Sequence, residues 1–218
     1  MKTSGKPFTA YLALFTGLIF MSFSAVFTKL SHAPGIVSAF YRMVIGGSIL
    51  FMPFIFHMVK SKEKLNTKGI WFALGAGACF GIDMMFWSTG IVKSNATIPT
   101  LFANTSPIWV GLGSIFLYRE KHNKLFWTGI FTSFAGIVLL IHRDFSSSGN
   151  ILFGAFMGLM ASFFYSSFIL ISQTGRRLID TLSFLFFSTL ASAFVLFFAI
   201  LIFDYQFTGY DRFTISIC

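Results

Sequence analysis

The sequence predicts an all-α polytopic membrane protein of about seven transmembrane helices. Three observations point there. Seven apolar spans run through the chain, at about 8–30, 36–59, 69–92, 96–118, 125–142, 151–172 and 181–203, each near the ~20 residues that cross ~30 Å of hydrocarbon as a helix. The composition is 56% hydrophobic and 11% charged, with mean hydropathy +0.79, too apolar a surface for water to solvate. The charges fall in alternate connections rather than on one face. Eleven of the sixteen basic residues lie before span 1 or after spans 2, 4 and 6: Lys2 and Lys6; Lys60, Lys62, Lys64 and Lys68; Arg119, Lys121 and Lys124; Arg176 and Arg177. Basic connections stay cytoplasmic, so the N-terminus and the even-numbered loops are expected inside. The net charge of +9 therefore points to the bilayer and not to nucleic acid, which would need one basic face interleaved with aromatics.

Span 1 opens after Lys2 and Lys6 like a signal peptide, but 8–30 is too long for an h-region and no small-x-small site follows. It is expected to stay uncleaved. Its Gly17, Met21, Ser24 and Thr28 share a side. In span 2, Arg42 sits about a turn inside the outer end, placed to snorkel to the headgroups or to make a structural pair. Span 3 has two faces. Ala73, Gly77 and Gly81 form a small-xxx-small ridge for close helix approach. Ala76, Cys79, Asp83, Trp87 and Gly90 form the other face. Asp83 is the acid well inside a span, where insertion costs roughly 2.5–3.5 kcal/mol, so it is expected to face the bundle interior. It is a candidate coupling or solute-contacting acid; a structural hydrogen bond to a neighbouring helix is the competing role.

Span 4 carries the clearest pattern. Thr97, Thr100, Asn104, Pro107, Gly111, Ser114 and Tyr118 recur at alternating intervals of three and four, one stripe on a continuous helix. A polar stripe in a membrane helix faces protein or water, and Pro107 frees a carbonyl one turn earlier that something must satisfy. A cavity-lining helix and polar packing both fit. Span 5 spaces Gly129, Ser133 and Gly136, and span 6 spaces Gly154, Gly158, Ser162 and Ser166, both in the manner of packing ridges. Span 7 is followed by Asp204–Cys218, which reads as an outer loop.

No metal or cofactor is expected. The sequence has no His-Glu-x-x-His and no Gly-x-Ser-x-Gly, and His32, His57, His122 and His142 are scattered near span ends. An enzyme is therefore not expected. Cys79 and Cys218 suggest no disulfide framework, and Asn95-Ala96-Thr97 and Asn104-Thr105-Ser106 match the glycosylation pattern by chance, in or against span 4.

Spans 1 and 6 are alike. Gly17-Leu18, Phe23 and Phe27 align with Gly158-Leu159, Phe164 and Phe168 at a constant offset, and the charge pattern gives the two spans opposite directions. Two similar units in opposite orientation form the inverted repeat of many secondary transporters, which here implies ten spans.

The segment Ala96–Lys121, ATIPTLFANTSPIWVGLGSIFLYREK, closely resembles the fourth-span signature of the EamA-type drug/metabolite transporter superfamily, with Pro107, Glu120 and Lys121 at its marked positions. Phe40-Tyr41-Arg42 resembles that family's Phe-x-Arg, and Gly129–Leu140 its glycine-spaced fifth span. The resemblance implies a ten-helix basket of two inverted five-helix repeats and a central cavity. It implies movement of small metabolites or drugs, often amino acids, by alternating access. Residues 1–142 would be the first repeat and 151–218 an incomplete second one of two helices plus a tail. The substrate pathway would then be Ser24, Asp83, Trp87, Thr100, Asn104, Pro107 and Gly111, with Arg42 and Glu120 as structural motif residues. The expected partners are the lipid bilayer and a small-molecule substrate, with no nucleic acid; a homo-oligomer stays open. The expected location is the inner (plasma) membrane. Three spans short of ten, the chain has a competing expectation: a non-transporting membrane remnant or interaction protein.

Overall fold

A computed structural model describes residues 11–12, 14–19, 23, 28, 33–61, 65–119, 123–144 and 150–207. Seven helices lie within them: α1 (Gly35–Ser61), α2 (Thr67–Lys93), α3 (Thr97–Ala103), α4 (Ser106–Tyr118), α5 (Lys124–Asp144), α6 (Ile151–Gly175) and α7 (Thr181–Ile202). Among the described residues, α1, α2, the α3–α4 pair, α6 and α7 are each long and apolar enough to cross a membrane. The chain is an all-α polytopic membrane protein. Most of span 1, including Ser24, lies outside the described residues, as do Glu120 and Lys121.

The helices begin and end where the local chemistry sets them. Asn66 caps α2 by accepting from the Lys68 N–H at 3.0 Å, and Asp180 caps α7 by accepting from Leu182 and Ser183 N–H, each at 3.0 Å. α4 ends at Arg119, whose φ of 54° turns the chain out of the helix.

Hydrophobicity does not drive helices together in lipid, so close backbone approach and interhelical hydrogen bonds do that work. α2 is the hub, packing on α1, α3, α6 and α7. Its Ala73–Gly77–Gly81 ridge lies against Ser188 and Ser192 of α7, and Ser192 Oγ donates to the Gly77 carbonyl at 2.6 Å. α6 carries its Gly154–Gly158–Ser162–Ser166 ridge along α3 and α4. Gly158 lies under Pro99, Ser162 Oγ accepts from Thr105 Oγ1 at 3.1 Å and Trp109 Nε1 at 3.0 Å, and Ser166 Oγ donates to the Ser106 carbonyl at 2.9 Å. α1 meets α7 through Ile36, Val37 and Ala39 against Leu196, Ala199 and Ile200. The outward faces stay apolar, with Met52, Phe56, Phe116 and Leu152 largely uncovered. Bilayer lipid is the solvent that such surfaces fit.

Span 4 departs from the expected continuous helix. It breaks at Asn104–Thr105. Pro107 has no N–H to donate back to Ala103 and disfavours a helical residue before it. The chain tightens instead, with Thr105 N–H bonding to Phe102 O and Ile108 N–H to Thr105 O.

The basic connections gather at one end. His57 Nε2 lies 3.4 Å from Asp180 Oδ1, Gly69 packs under Leu178 and Ile179, and Tyr118 OH reaches Leu170 O and Thr174 Oγ1. These contacts bring Lys60, Lys68, Arg119, Arg176 and Arg177 to a shared end, while Lys93 sits at the other beside Tyr205 and Phe153.

Asp180 makes this end acid-sensitive. Burial alone would raise its carboxyl. The approach of the Ser183 hydroxyl (short of hydrogen-bond geometry), the Ser183 N–H, nearby His57 and the Leu182 N–H outweigh that and hold it below the ordinary value. The unfolded chain therefore takes up the proton first as pH falls, and stability rises with pH through this window. The cap's contribution is whole above about pH 4 and fades as pH drops through the lowered value. Asp180→Ala is expected to cost about 1 kcal/mol, read as a lower thermal midpoint in detergent. In Asp180→Asn the acid dependence of that midpoint should flatten.

Candidate functional site

Three of the expected pathway and motif residues converge toward the Lys93 end of α2. The Arg42 guanidinium of α1 lies over the Trp87 ring of α2, 5.7 Å from its centroid, and Arg42 Nη1 donates to Thr28 Oγ1 at 3.4 Å. Trp87 Nε1 donates to Thr100 Oγ1 of α3 at 3.3 Å, and that hydroxyl donates in turn to the Ala96 carbonyl at 2.7 Å. Spans 1, 2, 3 and 4 thus each contribute a polar group to one connected cluster. The guanidinium faces inward onto an indole, because the Trp87 ring offers it a partner within the ~6 Å reach of a cation–π contact.

Asp83 lies one turn before Trp87 on α2, buried at 4% exposure and ten residues before the helix end at Lys93. At 1.5 Å per residue that is about 15 Å down, near the middle of a ~30 Å core. Tyr165 of α6 is within its electrostatic reach. Among the described residues no group hydrogen-bonds or ion-pairs with the Asp83 carboxyl. A second ionisable group, Arg42, therefore stands on the next helix, toward the Lys93 end, without neutralising it.

The rest of the span 4 stripe goes elsewhere. Asn104 and Pro107 are exposed and line a groove of about 350 Å³ against Phe126, Ile130 and Phe134 of α5. Gly111 lies under the Phe126 ring, where a Cβ would come to 2.8 Å. Ser114 bonds back to Gly111 O, and Tyr118 reaches α6. Asn104, Pro107 and Gly111 keep to one face toward α5 across the turn at Asn104–Thr105, while Thr100 meets α2 and Tyr118 meets α6. Ser24 and Glu120 fall outside the described residues.

Residues 8–142 match the family model described as the EamA-like transporter family. The chain belongs to that family. No curated protein and no solved structure matches it. Family membership makes this EamA-like chain one of a group of membrane transporters of small solutes and not of enzymes, and the matched residues contain the whole Arg42–Trp87–Thr100 cluster.

Sequence inspection passed over Thr105 and Trp109, which both bond to Ser162. The available signal was Trp109 itself, since an indole N–H inside a bilayer needs an acceptor.

Proposed function

We propose that this EamA-like transporter is a secondary transporter that moves small metabolites or drugs, amino acids among them, by alternating access. The membrane is an inner (plasma) membrane with the N-terminus cytoplasmic, a placement supported by the basic residues gathered at one end. Residues 1–142 and 151–218 belong to the two inverted repeats. The observation that carries the proposal is the convergence of Arg42, Trp87 and Thr100 from separate helices one turn beyond buried Asp83.

The chemistry suits a solute with both charges. Asp83 takes up the coupling proton, Arg42 takes a carboxylate, and Trp87 stacks on the cationic or planar part of the solute. Release toward the Lys93 end requires α1 to part from α2 and the guanidinium to leave the indole. That contact is worth about 0.5–2 kcal/mol, small enough for thermal opening and large enough to favour closure.

Proteoliposomes holding a pH-sensitive dye test this. A panel of amino acids and cationic drugs is added outside, and at least one member is expected to draw proton flux. Trp87→Ala should raise the half-maximal concentration about tenfold, the equivalent of 1.4 kcal/mol. Silence across the panel would sink the transport proposal. An unchanged half-maximal concentration would sink the placement of the site.

A further inference from the structure

The geometry points to an anionic phospholipid site between α6 and α7 at the basic end. A groove of about 520 Å³ opens there. One end of its lining is apolar, formed by Phe168, Ile169, Phe184 and Leu185, and the other end carries Gln173, Arg176, Arg177 and Thr181. From Phe168 to Arg176 is eight residues, about 12 Å of helix, so the polarity changes along the groove as it does along a lipid from acyl chain to phosphate.

The cations at the polar end are left uncompensated by their own loop. Asp180 is the nearest acid in sequence, but its Oδ1 accepts from the Leu182 and Ser183 N–H groups and faces His57 at 3.4 Å. Among the described residues no carboxylate pairs with either guanidinium. Arg176 makes one long contact, Nη2 to Thr181 Oγ1 at 3.4 Å, and the Arg177 and Gln173 side chains have no hydrogen-bond partner among the described residues. Guanidinium forks fit phosphate oxygens in a bidentate manner, and basic pockets between transmembrane helices hold anionic headgroups. A free phosphate would leave the apolar wall unused. A second copy of the chain would bring a like-charged end to these cations.

Native mass spectrometry of the full chain released from detergent tests the assignment. The probes are dioleoyl phosphatidylglycerol, dioleoyl phosphatidylcholine and inorganic phosphate. Phosphatidylglycerol adducts are expected to exceed phosphatidylcholine adducts by about tenfold and to survive excess phosphate. Arg176→Gln with Arg177→Gln should erase that preference, whereas Lys60→Gln with Lys68→Gln, at the same end, should keep it. Leu185→Trp fills the wall and should reduce phosphatidylglycerol binding with both arginines in place, which keeps the test open if the arginine variant fails to fold. Equal binding of the two lipids, equal loss in both charge variants, displacement by phosphate, or full binding in Leu185→Trp would each overturn the site.

Discussion

Asp83→Asn is expected to abolish pH-driven solute flux in proteoliposomes, to the level of protein-free vesicles, while solute exchange stays measurable. The two side chains have nearly the same shape, so packing among α2, α6 and α7 is preserved. What is lost, on the proposed mechanism, is the group that takes up and releases a proton. A carboxyl at 4% exposure near mid-membrane costs roughly 2.5–3.5 kcal/mol to insert. Nothing among the described residues repays that through a hydrogen bond or ion pair with it. An uncompensated cost is poor structural design and a common feature of coupling groups in transporters. The thermal midpoint of Asp83→Asn should accordingly match or exceed that of the parent. Undiminished pH-driven flux in the variant would remove Asp83 from the mechanism. A clearly lower midpoint would give it back the structural role. Asp83→Glu retains a proton site and is expected to keep part of the flux, which separates loss of the acid from loss of shape.

Membership of the EamA-like family and the all-helical, multi-span architecture were legible because both rest on local signals. Apolar length marks a span wherever it ends up, and the span 4 signature sits in consecutive residues. The ridge Ala73–Gly77–Gly81 was legible for the same reason, since a missing side chain invites a neighbour. Its partner was not. The serines of α7 carry no mark of which helix they meet, and Ser188 and Ser192 are more than a hundred residues from Gly77. Arg42 shows the limit of a charge count. Depth alone allows snorkelling to the headgroups or a structural pair, and only the fold shows that an indole on α2 within cation–π reach is the partner taken. The span 4 stripe shows another limit. Its regular spacing marks a shared stripe but not which helix each residue meets. Thr100 keeps company with Trp87, Asn104, Pro107 and Gly111 turn to α5, and Tyr118 reaches α6.

Gly77→Val is expected to cost about 2–5 kcal/mol, combining overpacking of 1–3 kcal/mol with a lost interhelical hydrogen bond of 0.6–2 kcal/mol. A Cβ at Gly77 would stand 2.7 Å from the Ser188 Cα and 2.8 Å from the Ala191 Cβ, and would also strike the Ser188 carbonyl. These are backbone and short side-chain atoms with no rotamer to yield, so α2 and α7 must separate. Separation breaks the 2.6 Å bond from Ser192 Oγ to the Gly77 carbonyl. Gly75 supplies the control. It lies two residues earlier on α2, where a Cβ meets nothing within 4 Å. Replacing it with Ala removes a helix-interior glycine and should stabilise by up to about 1 kcal/mol, and Gly75→Val should leave the fold intact. The measurement is the monomer peak on size exclusion together with the thermal midpoint in mild detergent. If Gly77→Val matches Gly75→Val, the α2–α7 approach is not what holds the bundle. If the two diverge as expected, the consequence reaches the site. Asp83 stands six residues past Gly77 on the same rigid helix, and Trp87 one turn further, so any shift of α2 off α7 carries both away from Arg42 and Thr100. The glycine ridge is then the element that holds Asp83 and Trp87 in place against Arg42 and Thr100.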